Sequence, residues 1–352
     1  MFEMSKVNMF LEDLENRLNE GEEERILKLW RDFADGRSAG IFNPVRNPVL
    51  KSKLEFPIVS VNEAILDGSF ESMLLSQLKG VNDLITSTSG NIPMIRANYG
   101  STIIPTILGC ELILMDDKHN TLPGAMHIEA SRIRKIVSEG SIDVYAGQGR
   151  SVFECSKYFL DKLGEHPKLN KYIRIYHPDF QGVLDIAEVL YGSEIFLVFY
   201  DEPKFIKEFL TFITYAYKET ANEYFRIVKP DEHYNCHYGW LHKGKLRLSL
   251  DSCVNFSVEQ YEEFILEHDK ELLNTYGGII HSCGKVDHFV SSLNKIGKGY
   301  HGFNFSQPHL NNVEKILDAA LGNDINIYNL GIKEIITNKN HLIHKDPFFK
   351  MF

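Results

Sequence analysis

The sequence predicts an α/β protein, most simply a (β/α)8 TIM barrel with an N-terminal helical extension. Three observations predict it. Eight short apolar runs of β type are spaced along the chain. Amphipathic helical stretches separate them, the order expected of parallel βαβ units, and eight such strands close a barrel at this chain length. No G-x-G-x-x-G follows any early strand, which counts against a doubly wound sheet with a dinucleotide site.

The elements follow in order. Met9, Leu11, Leu14 and Leu18, then Ile26, Leu27, Trp30 and Phe33, recur at helical spacing among charges, and Asp35-Gly36 ends that region. A loop with Pro44 and Pro48 follows. The expected strands are Phe56–Val61, Ile92–Ala97, Tyr172–His177, Glu232–His237, Leu246–Asp251, Gly278–Ser282, Gly302–Phe305 and Ile325–Leu330. Three helices are marked by their ends. Pro203–Arg226 follows the N-terminal signals Asp201 and Glu202. Val258–Tyr276 has Ser257 as N-cap and Gly277-Gly278 as its stop, and Asn312–Leu321 is stopped by Gly322. The simplest parse is a helical extension and loop over 1–54 and one barrel over 55–352.

Composition limits the function classes. Of 352 residues, 43% are hydrophobic, enough for a sizeable core. A net charge of −10 argues against a nucleic-acid partner. The five cysteines are odd in number and scattered, which fits a reducing cytosol better than a disulfide framework. The Glu-rich N-terminus lacks a signal-peptide core, and no apolar run is long enough to span a bilayer. A cytoplasmic protein acting on a small molecule is the expectation.

In a barrel, functional groups project from the C-terminal ends of strands. The stretch GIIHSCG places His281 and Cys283 at such an end, two residues apart and so on one face of an extended chain. Imidazole and thiolate suit Zn²⁺. The neighbouring strand end offers Asp251 and Cys253, and the one before it Cys236 and His237. Against this stands the plain reading that a buried strand end carries a His and a Cys, since cysteine is often buried without a ligand. Arg96 and Tyr99, in RANYG, are candidates to hold a substrate carboxylate or phosphate, although Arg96 also suits a structural pairing with Asp179 or Asp251. Asp179 is a candidate acid/base or orienting group, or else a helix cap. Tyr145 is a fainter candidate. Gly147–Arg150 is too short for a phosphate loop, and His341 and His344 read as solvated tail residues.

Taken in order, these segments resemble the uroporphyrinogen decarboxylase superfamily, which also contains corrinoid- and cobalamin-dependent methyltransferases. The resemblance runs from about Phe56 to Leu330. It rests on Arg96-Ala97-Asn98-Tyr99-Gly100 with Leu108-Gly109-Cys110-Glu111, on Asp179–Ala187, and on Tyr200-Asp201-Glu202-Pro203. Asp251-Ser252-Cys253 with Ser257 and Tyr261-Glu262-Glu263-Phe264, then Gly277–Gly284, complete it.

The resemblance implies a (β/α)8 barrel and one of two chemistries. The decarboxylases act on a tetrapyrrole without a cofactor and carry an arginine-rich R-Q-A-G-R loop. Here the loop Gly40–Lys53 has only Arg46 and two lysines. The methyltransferase branch holds zinc on H-x-C and a later Cys. His281 and Cys283 match the first two positions, but no Cys follows Cys283. Cys253 or Asp251 is the expected substitute, then Cys236 and His237. The expectation is therefore a zinc- and corrinoid-dependent methyltransferase, with the corrinoid on a partner protein and Arg96, Tyr99 and Asp179 positioning a small substrate. A decarboxylase of a tetrapyrrole or smaller carboxylate, and a non-catalytic corrinoid- or tetrapyrrole-binding barrel, are the alternatives.

Overall fold

The computed structural model describes residues 6–38, 42–321 and 323–329. His341, His344 and the C-terminal tail lie outside them. The N-terminal periodicity gives two helices, Lys6–Arg17 and Glu20–Ala34, the second opened by Asn19, whose side chain accepts the Glu22 N–H. Their apolar faces join the same buried core as the rest of the chain. Arg46 fastens them. Its guanidinium pairs with Glu23 and donates to the carbonyls of Ser89 (3.1 Å) and Asn91 (2.7 Å). Both charged side chains are almost wholly buried, so Arg46 is committed to the fold.

Ten short strands follow among the described residues. β1 (Met94–Ile95) pairs in parallel with β4 (Arg174–Ile175), while β2 (Leu112–Ile113) and β3 (Gly124–Ala125) form a hairpin. β5 (Tyr234–His237) and β6 (Trp240–Lys243) form a second hairpin. β7 (Leu246–Ser249), β8 (Gly278–Ser282), β9 (Tyr300–Phe305) and β10 (Asn326–Ile327) make a parallel sheet in the order β10-β9-β8-β7. The ladders of the described residues do not close into an eight-stranded ring. Between β4 and β7 the link is a side chain: the Arg247 N–H donates to His177 Nε2 at 3.0 Å.

Several strand expectations change, and Tyr172 of Tyr172–His177 ends the helix Pro167–Tyr172. Phe56–Val61 is not a strand, because Pro57 has no N–H to give a ladder and Ser60 caps the helix Val61–Leu66 by accepting the Glu63 N–H. Glu232–His237 contains β5, but β5 turns back antiparallel into β6. The two turn residues, Tyr238 and Gly239, both have positive φ (51° and 94°), as a type I′ turn requires. A Cβ on Gly239 would also stand 2.6 Å from the Asn91 side chain. Of Ile325–Leu330, Asn326–Ile327 is strand and Leu330 lies outside the described residues.

The long helices start where expected, although Asp201 ends the preceding helix Ile195–Asp201 and Glu202 makes no side-chain cap. Pro203–Val228 starts on Pro203, and Val258–Tyr276 is helical throughout, opened by a Ser257–Gln260 capping box. It contains a π-turn at Tyr261–Ile265, and there Tyr261 donates to Asp269 Oδ2 at 2.8 Å. Asp269 is fully buried and its Oδ1 has no hydrogen-bond partner among the described residues. Burial pushes its carboxyl up to about 8.

Two outcomes follow from these buried groups. Arg46→Met strands Glu23 and is expected to destabilise the protein by about 3–5 kcal/mol in urea unfolding, while Arg46→Met with Glu23→Leu recovers most of that. Asp269 in the fold keeps a proton that the unfolded chain loses above about pH 4. Its contribution to stability therefore falls as pH rises from there to about 8. Asp269→Asn is expected to remove that slope, so the stability difference between variant and parent should grow in the variant's favour across this range.

Candidate active site

Strand alternation assembles the first group. On β7, Arg247 and Ser249 share a face, continued by Asp251, while Leu246, Leu248 and Leu250 take the other. The register sets Ser249 beside His281 and His281 beside Asn304. His281 and Cys283 therefore point the same way, and Sγ lies 3.4 Å from Nε2. Asp251 comes up from β7 to meet them. Its Oδ1 accepts the Cys283 N–H at 2.6 Å and stands 3.7 Å from His281 Nε2, and Ser249 Oγ donates to its Oδ2 at 2.9 Å. Ligand atoms of Asp251, His281 and Cys283 all lie within 4.8 Å of one another. No other group of three such residues converges among the described residues.

The hydrogen bonds decide the tautomer of His281. Asn304 Nδ2 donates to the Tyr328 carbonyl at 3.0 Å, which turns its Oδ1 towards His281 Nδ1 at 2.6 Å. An amide oxygen only accepts, so Nδ1 carries the proton and Nε2 presents its lone pair to Cys283 and Asp251. Burial, helped by Arg247, holds the imidazole below its usual protonation range. Burial and Asp251 push the Cys283 thiol up. Beneath them Asp185 is buried and raised to about 6 by burial and by Asp251, although the backbone N–H groups of Ser252 (2.7 Å) and Asp251 donate to it. Gly182 makes this approach possible, since a Cβ there would stand 1.8 Å from the Ser249 carbonyl oxygen.

These three donors fit zinc. At ordinary Zn–N, Zn–O and Zn–S bond lengths, tetrahedral ligand atoms stand roughly 3.3–3.6 Å apart, close to the 3.4 and 3.7 Å that separate His281 Nε2 from the other two donors. Three protein ligands would leave a fourth position open, as in catalytic zinc sites.

The second group is electrostatic. Asp179 lies between two guanidiniums, with Arg247 Nη1 2.7 Å from Oδ1 and Arg96 Nη1 3.6 Å from Oδ2. Tyr238 donates to Oδ2 at 3.2 Å and accepts from Arg96 at 3.3 Å. Both guanidiniums also lie over its ring, at 5.3 and 4.9 Å. Burial alone would raise Asp179, but Arg247 and Arg96 outweigh it and hold the carboxyl below its usual range. Two cations share one anion, which leaves local positive charge in an acidic protein. Arg247 joins the groups, since it shares the β7 face with Ser249 and Asp251 and its charge acts on His281 and Cys283.

The remaining expected site residues lie elsewhere. Cys253 falls in the 3-10 turn Ser252–Asn255, where strand alternation has ended, and its buried thiol does not join the triad. Tyr99 is buried in the core with its phenol towards Cys155, rather than at the rim beside Arg96. Cys236 and His237 are buried too, and His237 Nδ1 meets His242 Nε2 at 2.6 Å. Tyr145 bonds Glu223, and Gly149 opens a helix. Sequence reading missed Arg247, Tyr238 and Asn304. Arg247 was findable, as a charge inside an apolar strand on the same face as Asp251.

No family model matches the chain, and no curated protein does. Among solved structures it is similar to a methyltransferase from Methanosarcina mazei, with a TM-score of 0.57 and 12% identity over 92% of this chain and 91% of that one. At that identity the likeness is one of fold. No helix among the described residues is long and apolar enough to cross a membrane.

The tautomer is directly testable. Long-range ¹H–¹⁵N spectra of the metal-free protein are expected to show His281 neutral and protonated on Nδ1. A proton on Nε2 would contradict the Asn304 arrangement.

Proposed function

We propose that this protein is a zinc-dependent methyltransferase acting on a small molecule. The observation that carries the reading is the convergence of His281 Nε2, Cys283 Sγ and an Asp251 oxygen, with the histidine lone pair aimed into the group by Asn304. The fold likeness to a methyltransferase and the ordered motifs support it. Asp251 takes the place that the family gives to a later cysteine. A zinc ion bound there would supply Lewis acidity, lowering the pKa of a thiol in the open position.

The chain's own residues supply the rest. Asn304 fixes the imidazole. Ser249 and the Cys283 N–H hold the carboxylate of Asp251. Arg96, Arg247 and Tyr238, organised by Asp179, position the substrate, with Tyr238 replacing Tyr99 in that role. As the family resemblance implies, the methyl group comes from a corrinoid carried by a partner protein. Arg46 does not serve the tetrapyrrole alternative, because it is buried against Glu23.

Elemental analysis of protein purified without chelator is expected to find about one zinc per chain. Cys283→Ser should lose it, and Asn304→Leu should weaken zinc binding by roughly 10–100-fold. Zinc-loaded protein should transfer a labelled methyl group from a methylcorrinoid to a small thiol, and Cys283→Ser should not. Parent protein that takes up no zinc would overturn the reading.

A further inference from the structure

A polar cleft lies at the other end of the strands. Arg174 is the first residue of β4, whereas His177 and Asp179 follow its last. Around Arg174 a cleft of about 210 Å³ opens between β4, β5 and the C-terminal end of the helix Pro203–Val228. β4 has β1 as its only ladder partner among the described residues, so the side facing β5 is free of backbone pairing.

The charges in this cleft are incompletely matched. The Arg174 guanidinium has no hydrogen bond or ion pair among the described residues, and its Nε is shut off from water. A guanidinium brings five donors, so a half-buried one without partners is unusual. Across the cleft stands Asp231. Its Oδ1 accepts the backbone N–H groups of His233 (2.8 Å) and Tyr234 (3.0 Å), and its other oxygen has no hydrogen-bond partner among the described residues. Arg174 helps hold Asp231 below its usual range, yet the two do not form an ion pair. Val228, at the negative end of its helix, lines the same side. The Cys236 thiol in the wall is pushed up to about 12 by burial and adds no charge. Lys229, also in the lining, is exposed to water.

We propose that this cleft binds a small zwitterionic amino acid, its carboxylate on Arg174 and its ammonium against Asp231 and the helix end. Such a ligand satisfies both separated charges at once, which a simple anion or a simple amine does not. The site is independent of the Asp251–His281–Cys283 group.

The test uses the whole protein. Melting temperature and titration calorimetry are measured with L-alanine, L-glutamine and 4-aminobutyrate, against acetate and methylammonium at the same ionic strength. At least one zwitterion is expected to bind and raise the melting temperature, with acetate and methylammonium inert. Arg174→Gln and Asp231→Asn should each weaken binding roughly tenfold or more. Cys283→Ser should leave it unchanged, which separates this site from the other. Arg174→Lys, which keeps the charge, covers the case in which Arg174→Gln does not fold, and should bind more weakly than the parent. The proposal is overturned if no zwitterion binds, if acetate binds as well, or if Asp231→Asn binds as tightly as the parent.

Discussion

The structure turns on a seam. Between β4 and β7 the described residues have no backbone ladder, and two side chains from the end of β4 do the joining. His177 accepts the Arg247 N–H, and Asp179 takes the Arg247 guanidinium. The first bond needs a neutral imidazole with a free lone pair on Nε2. Burial supplies the neutrality by pushing His177 down to about 4, and Nδ1 donates to the Pro178 carbonyl, leaving Nε2 as the acceptor. The second bond buries a charge pair, and Arg96 and Tyr238 complete its partners. A seam closed by polar side chains at the strand ends leaves polar groups where chemistry can use them.

The same arrangement ties the two groups together. One β7 face carries Arg247, which closes the seam, then Ser249 and Asp251, which belong to the triad. A register slip of one residue against β8 would turn His281 away from Asp251 and Asn304. Tyr238 reaches Asp179 from a left-handed position in the β5–β6 turn. A bulky residue with positive φ is strained, and here the strain accompanies contact with three charged side chains.

Much of the triad was legible because alternation is a local property. His281 and Cys283 had to share a face, and Asp251 sat at the matching level of the next strand. Cys253 was a natural third donor on spacing. It failed because the chain has left extended geometry by Asp251, whose backbone is helical, and enters a 3-10 turn, which sends the thiol into the core. The strand expected at Phe56–Val61 failed because apolar residues alone do not make a ladder when a proline and a helix cap interrupt them. The β5–β6 hairpin was hidden because Tyr-Gly is not a familiar type I′ pair, although its backbone conforms.

By itself the sequence determined the parallel strands of the β7–β10 sheet and the extent of the long helices, together with the pairing of imidazole and thiol on one strand. Each depends on residues within a few positions of one another. Tertiary structure alone decided that Arg247 and Asp179, 68 residues apart, share a bond. It likewise brought Tyr238 to Arg96, 142 residues away, and placed Tyr99 in the core. The physical reason is that charge and burial act through space. Which acid faces which guanidinium, and which tyrosine meets water, follows from the path of the whole chain.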